Sequence, residues 1–281
     1  MRMIEPGGMA STKGQERLRV TVEPLETHTD LQECVELQRQ VWGMGESGVV
    51  PASQLHAAIH AGGSVLGVRA AERLIGFAFA FPAYRPERHP APGLHSDMAA
   101  VLAEYRGRGV GQRLKQVQRE WALERGFEWI QWTFDPLRAA NARFNLEHLG
   151  ALCFEYIIDA YGVMDDGLNA GLPSDRLMAH WDLQGSEAGR RDDLHPGVPV
   201  LFAGTEGEPE LLLGESADRL HVAIPPELDR LRGEDGETAL RWRLALREVL
   251  VHYLGRGYGV IRFLHGGYVL TAGLQESENR T

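Results

Sequence analysis

The segment Arg106-Gly107-Arg108-Gly109-Val110-Gly111 constrains this chain most. Leu94 to Val101, before it, reads as a strand. Val110 to Arg125, after it, carries apolar residues at helical spacing and stops at Gly126. A helix start leaves several N–H groups unpaired and bears partial positive charge. Glycines let that backbone approach an anion closely. Strand, glycine turn and helix together make a cradle for a pyrophosphate; glycines kept for packing alone are the plainer alternative. The turn is not a Walker loop, because Gln112-Arg113 follows Gly111. It is not a dinucleotide fingerprint either: G-x-G-x-x-G counted from Gly107 meets Gln112, and counted from Gly109 it meets Leu114. The pattern present is R-x-x-G-x-G.

The other elements surround this turn. Arg19 to Pro24 reads as a strand, and Thr29 or Asp30 caps a helix running to Trp42. Pro51 opens a second helix, Ala52 to His60. Ser64 to Ala70 and Leu74 to Pro82 form a hairpin, followed by a loop, Tyr84 to Gly93, rich in proline. Phe127 to Phe134 is a strand, Leu137 to Leu149 a helix, and Leu152 to Tyr161 and Arg176 to Leu183 are strands. Residues 1–17 read as a leader, 18–184 as one domain, 185–197 as a polar linker and 198–281 as a smaller α/β extension. Within the extension, a helix broken near Gly233 to Gly236 and ending at His252 carries a buried-type face of Ala239, Trp242, Leu246, Val249, Leu250 and Tyr253. That face must pack on the first sheet or on a second copy of the chain. Arg256-Gly257-Tyr258 echoes Arg125-Gly126-Phe127, a hint of a degenerate half-repeat.

Composition narrows the function classes. With 281 residues, 43% hydrophobic and 24% charged, the chain is an ordinary globular protein of one large or two small domains. Its longest nearly apolar run, Leu74 to Ala83, is too short to cross a bilayer. No secretory signal is visible, so a cytoplasmic protein without a membrane partner is expected. The net charge of −10 lies entirely in residues 141–281, which argues against a nucleic-acid partner. Cys34 and Cys153 give neither a disulfide framework nor zinc spacing, and the histidines show no metal pattern.

The element order and the R-x-x-G-x-G turn resemble the GNAT superfamily of acyl-CoA-dependent N-acyltransferases, over about residues 18–183. Arg106, Gly109 and Gly111 match each defined position of its signature. Asp135-Pro136-Leu137-Arg138, Asn141, Phe144-Asn145, Leu149-Gly150, Tyr161-Gly162, Leu168-Asn169 and Pro173-Ser174-Asp175-Arg176 look like a branch of predicted acetyltransferases with amino-acid acylating relatives. The resemblance implies an α/β (α+β) fold with a mixed, mostly antiparallel sheet flanked by helices. It implies acetyl-CoA or another acyl-CoA as co-substrate, no metal, and the amine of a small molecule as acceptor. Backbone groups of Ala100, Val101 and Leu102 would pair with pantetheine. Arg106, Gly107, Arg108, Gly109, Val110 and Gly111 would hold the pyrophosphate, with Asn141 and Phe144 beside the cofactor.

An amine must be neutral to attack a thioester, so a base is needed. Strand alternation puts His95, Asp97, Ala99 and Val101 on one face, and His95 and Asp97 are the candidates for base or water relay. Relatives place a tyrosine acid four residues before the glycine closing the next helix, but here that position is Leu146. Tyr156 and Tyr161 are the candidates left, unless the thiolate leaves unassisted. Arg176 and Arg138 are candidate forks for a substrate carboxylate. Trp42 is a candidate wall of the acceptor pocket. A CoA-binding scaffold without catalysis and a protein acetyltransferase are the competing readings.

Overall fold

The computed structural model describes residues 18–43, 45, 48–162, 171–185 and 195–274. The expected leader, most of the linker and Leu168-Asn169 lie outside them.

β1 (Thr21–Pro24) leads into α1 (His28–Trp42) and α2 (Ala52–His60). α1 starts earlier than expected. Thr27, not Thr29 or Asp30, is the N-cap: its Oγ1 accepts from the Asp30 amide at 3.2 Å, and the Asp30 carboxylate accepts from the Thr27 amide in return. This reciprocal box satisfies two amides that the helix leaves open. Gly43, at φ +66°, closes the helix.

β2 (Ser64–Ala70), β3 (Arg73–Ala83) and β4 (Gly93–Val101) follow as an antiparallel meander. Then come α3 (Val110–Glu124), β5 (Trp129–Phe134) and α4 (Ala139–Arg143). α4 continues through a π-helical turn, Phe144–Leu149, which ends at Gly150 with φ +78°. β6 (Leu152–Ile157) is shorter than expected. The chain turns at Asp159, whose φ is +48°, so Tyr161 lies in a turn and not on the strand. β7 (Arg176–Asp182) returns beside β5.

The extension supplies β8 (Val198–Ala203), β9 (Pro209–Leu211), β10 (Arg219–Ala223), α5 (Leu228–Glu234), α6 (Gly236–Leu254), β11 (Tyr258–Leu264) and β12 (Gly267–Ala272). All these strands belong to one sheet, ordered β1-β2-β3-β4-β5-β7-β6-β11-β12-β10-β8-β9. The extension thus continues the first sheet through β11, which pairs with β6 at Val260 and Cys153. Its helical face is buried: Ala239, Leu246, Val249, Leu250 and Tyr253 have no exposed surface, and they share a core with Ile130, Leu146 and Leu177. A second core, with Leu31, Leu55, Phe77, Ala100, Val110 and Leu114, fills the space around β1 to β4.

The seam between the cores matters most. β4 and β5 run parallel but pair only at Leu94 with Ile130 and at His95 with Gln131. Beyond those pairs the strands part. No helix among the described residues is long and apolar enough to cross a membrane.

A candidate active site where two parallel strands part

The open end of the gap meets the glycine turn. Gly107 and Gly109 sit at φ +71° and +79°, conformations that L side chains rarely adopt, and a Cβ on either would meet nothing within 4 Å. Gly109 is the N-cap of α3 and no side chain caps that helix, so its first-turn amides have no partner from the cap residue. Arg106, Gly107, Arg108 and Gly109 are exposed, while Val110 is buried. The turn therefore offers backbone donors and two arginines to an anion. Arg106 folds back, its Nε donating to the Val101 carbonyl at 2.9 Å. The Phe144 ring lies 3.8 Å from where a Gly111 Cβ would stand, so those two residues share one wall.

A cleft of about 740 Å³ runs along this opening. Its walls include Ala99, Ala100, Val101 and Arg106 on one side and Arg138 and Asn141 on the other. Trp42, packed edge-to-face on Phe77 with centroids 6.4 Å apart, closes one end. The extension closes another, with Pro226 to Arg230. Leu102 is buried, its amide bonded to the Ile75 carbonyl at 2.9 Å. From Val101 to His95 the strand spans ~20 Å, a length suited to a pantetheine arm.

At the closed end a bulge breaks the expected alternation. Met98 pairs with Phe79 and Ser96 with Ala80, which leaves Asp97 as an extra residue. His95, Met98 and Ala100 therefore share the face of Phe81, Phe79 and Phe77. Ala99 and Val101 turn to the opposite face, contrary to the uniform alternation read from sequence. His95 stacks on Phe81 with centroids 5.2 Å apart. Burial lowers its pKa, Lys115 and Arg85 push the same way, and Asp97 opposes them. Asp97 projects outward, yet the protein mass around it raises its carboxyl pKa while His95 pulls it down.

Neighbours on this face complete the site. Arg85 donates to Gln131 Oε1 at 3.3 Å, which turns the amide nitrogen of Gln131 toward His95 Nδ1, also at 3.3 Å. A neutral imidazole held that way carries its proton on Nε2. Arg85 and Arg88 both reach Glu155, at 3.2 and 2.6 Å, and tie the proline-rich loop over the sheet.

The two candidate tyrosines part company. Tyr161 comes to the His95 face: its hydroxyl meets Thr133 Oγ1 at 2.8 Å, and Thr133 lies two residues along β5 from Gln131. Tyr156 pairs with Leu177 and faces the other way. Its hydroxyl donates to Asp175 at 2.8 Å, and burial, followed by the Asp175 charge, pushes its pKa well above the usual phenol value. Leu146 is fully buried in the apolar core.

Neither arginine fork is held open. Arg138 pairs with Asp229 of α5 and lies 3.9 Å from Asp135. Arg176 is buried beneath the Tyr161 ring, 5.0 Å from its centroid, and donates to the Asp175 carbonyl. Among the described residues no group of His, Cys, Asp or Glu could hold a metal.

Sequence reasoning passed over Gln131, Thr133, Arg85 and Lys115. For Lys115 a signal was present: of 29 basic residues only Lys13 and Lys115 are lysines. Its buried position was not visible from that count.

Residues 31–150 match the family model described as the acetyltransferase (GNAT) family. No curated protein sequence matches the chain significantly. Among solved structures, the ribosomal-protein-S18-alanine N-acetyltransferase from Escherichia coli is similar at 15% identity, covering 63% of this chain and 99% of that one, with a TM-score of 0.47. Arabidopsis thaliana NAA60 in complex with acetyl-CoA is similar at 13% identity, over 59% and 100% of the two chains, with a TM-score of 0.48. An acetyltransferase of the GNAT family from Streptococcus pneumoniae is similar at 14% identity, over 58% and 98%, with a TM-score of 0.44. The strand, the R-x-x-G-x-G turn, the helix and the parting of β4 and β5 all lie within residues 31–150, the part of this chain that matches the acetyltransferase (GNAT) family.

Proposed function

We propose that the chain is an acyl-CoA-dependent N-acyltransferase with acetyl- or succinyl-CoA as donor and the amine of a small molecule, an amino acid foremost, as acceptor. One observation carries this reading: a gap between two parallel strands with helix-start amides at its open end and a half-buried imidazole beside a carboxylate at its closed end. A pantetheine arm lying in the gap adds to β4 as a further strand and brings its thioester to His95 and Asp97. The amine attacks the carbonyl carbon directly. Because Gln131 faces Nδ1, the neutral His95 ring donates through Nε2 and orients, while the Asp97 carboxylate, which only accepts, takes the amine proton directly or through one water. A backbone amide of β4 would hold the oxyanion.

The loop tied down by Arg85, Arg88 and Glu155 and the wall at Pro226 to Arg230 narrow the approach, which favours a small acceptor over a polypeptide. Purified chain with acetyl- or succinyl-CoA and a panel of free amino acids should release thiol only when the right amine is present, with the acylated amine seen by mass spectrometry. Acylation of basic proteins with no free amine accepted would overturn the small-molecule acceptor. Thiol release from no acceptor at all, with CoA still bound, would leave the non-catalytic scaffold.

A further inference from the structure

One residue past the last pair of β4 and β5, Ser96 and Trp132 face α3, and the side chain of Lys115 stands between them. Its Nζ donates to Ser96 Oγ at 2.8 Å and to Gln118 Oε1 at 2.9 Å, and lies 4.3 Å from the centroid of the Trp132 ring. The residue is 4% exposed. Among the described residues no carboxylate pairs with it. An ammonium buried against two neutral oxygens and a ring face is costly to keep unless something uses it. It is the one lysine of the described residues in a chain that elsewhere relies on arginine.

We propose that Lys115 closes the inner end of the gap as the group that receives the leaving thiolate, holding positive charge against the sulfur and returning a proton to it. This rests on the acyltransferase reading above. In the step, the amine nitrogen bonds to the thioester carbon, and the carbon–sulfur bond breaks with its electron pair on sulfur. Sulfur takes a proton from Nζ and the amine gives one to Asp97. Exchange of protons with solvent then restores both groups.

The geometry fits this role in three ways. Ser96 and Trp132 come from the two strands that part, so Nζ bridges them at the apex of the gap. The helix position where relatives carry an acidic hydroxyl is Leu146, fully buried in apolar surroundings. Burial lowers the Lys115 ammonium to about 7, and a thiolate formed against Nζ favours the charged form again, so the positive charge is held while the sulfur leaves. The groups packed on Nζ leave its charge uncompensated: Gln118 from α3 and Trp132 from β5 are neutral. On β4, Ser96 is neutral too, and its neighbours His95 and Asp97 stand outside the hydrogen bonds Nζ makes.

The test uses the full chain loaded with CoA. The ultraviolet absorbance of the thiolate is followed against pH, with acetyl-CoA affinity and turnover measured alongside. Bound CoA should titrate at least about one pH unit below free CoA, a tenfold gain for the thiolate. Lys115→Met should move that titration back toward the free value and lower kcat by about 10²-fold with acetyl-CoA affinity unchanged. Lys115→Arg, which keeps the charge, should retain the shifted titration. The methionine is nearly isosteric, and Ser96 and Gln118 already lie 3.3 Å apart, so they can satisfy each other. A bound thiol titrating like the free one in the unaltered protein overturns the proposal even if the variants fail to fold. So does a Lys115→Met protein with unaltered titration and turnover. If the unaltered protein binds no CoA, both this proposal and the acyltransferase reading fall.

Discussion

Arg243 of α6 donates to Asp135, at the end of β5, across 2.7 Å, and the arginine is 1% exposed. This pair joins the extension to the strand that forms one side of the cleft. Asp135 also accepts from the Leu137 amide at 2.9 Å and so shapes the turn into α4, where Arg138 and Asn141 line the cleft. The extension is therefore coupled to the site through its core as well as through the wall at Pro226 to Arg230.

Breaking this pair should be severe. Arg243→Ala leaves the buried Asp135 carboxylate with only the more distant Arg138, at 3.9 Å, and should cost about 3 kcal/mol in urea unfolding. Replacing both partners by apolar residues of similar volume should recover much of that loss. A single variant as stable as the unaltered protein would contradict the coupling.

A second tie reports through pH. Arg247 holds Asp175 in a two-pronged contact at 2.7 and 2.8 Å. Burial alone would raise the Asp175 pKa, but Arg247, the Asp159 amide and the Tyr156 hydroxyl outweigh it and hold the carboxyl below its ordinary 3.8. A carboxylate with a depressed folded pKa contributes stability that is full above the unfolded value and lost as pH falls through the folded one. Arg247→Ala should remove about 2 kcal/mol at neutral pH and move the acid unfolding midpoint upward. Circular dichroism against pH checks this, and an unmoved midpoint counts against it.

The base assignment is tested by rate against pH. As the proposed base, Asp97 would act deprotonated, and its pKa is raised, so turnover should fall as pH drops through that raised value. Asp97→Asn should lower kcat by about 10²–10⁴-fold and abolish the acid limb. His95→Asn should slow the reaction but keep the limb. The reverse pattern would make His95 the base.

Much of the site's frame was legible in the sequence because it is written locally. The glycine turn, the Pro51 helix start and the hairpin turn at Ala71-Glu72 depend on neighbours in the chain, and their positions came through within a residue or two. The bulge at Asp97 did not, because an extra residue in one strand is defined only by its partner, here Phe79 and Ala80 of β3. Nor did the sorting of the tyrosines. Tyr156 and Tyr161 are five positions apart, yet the turn at Asp159, held by Ser174 from 15 residues further on, sends Tyr161 back to the His95 face. Lys115 and Arg243 are ordinary polar helix residues until the sheet is assembled around them.

The most direct test of the account is calorimetric titration of the full chain with acetyl-CoA, beside Gly109→Val. Gly109 has φ +79° at the start of α3, so a valine there strains the turn and crowds the amides meant for the pyrophosphate. Nothing packs within 4 Å of that position, so the fold should survive at a cost of about 1 kcal/mol. The account predicts one acetyl-CoA per chain, with binding lost in the variant while its thermal unfolding stays cooperative. Two molecules per chain, or equal affinity in the folded variant, would contradict it.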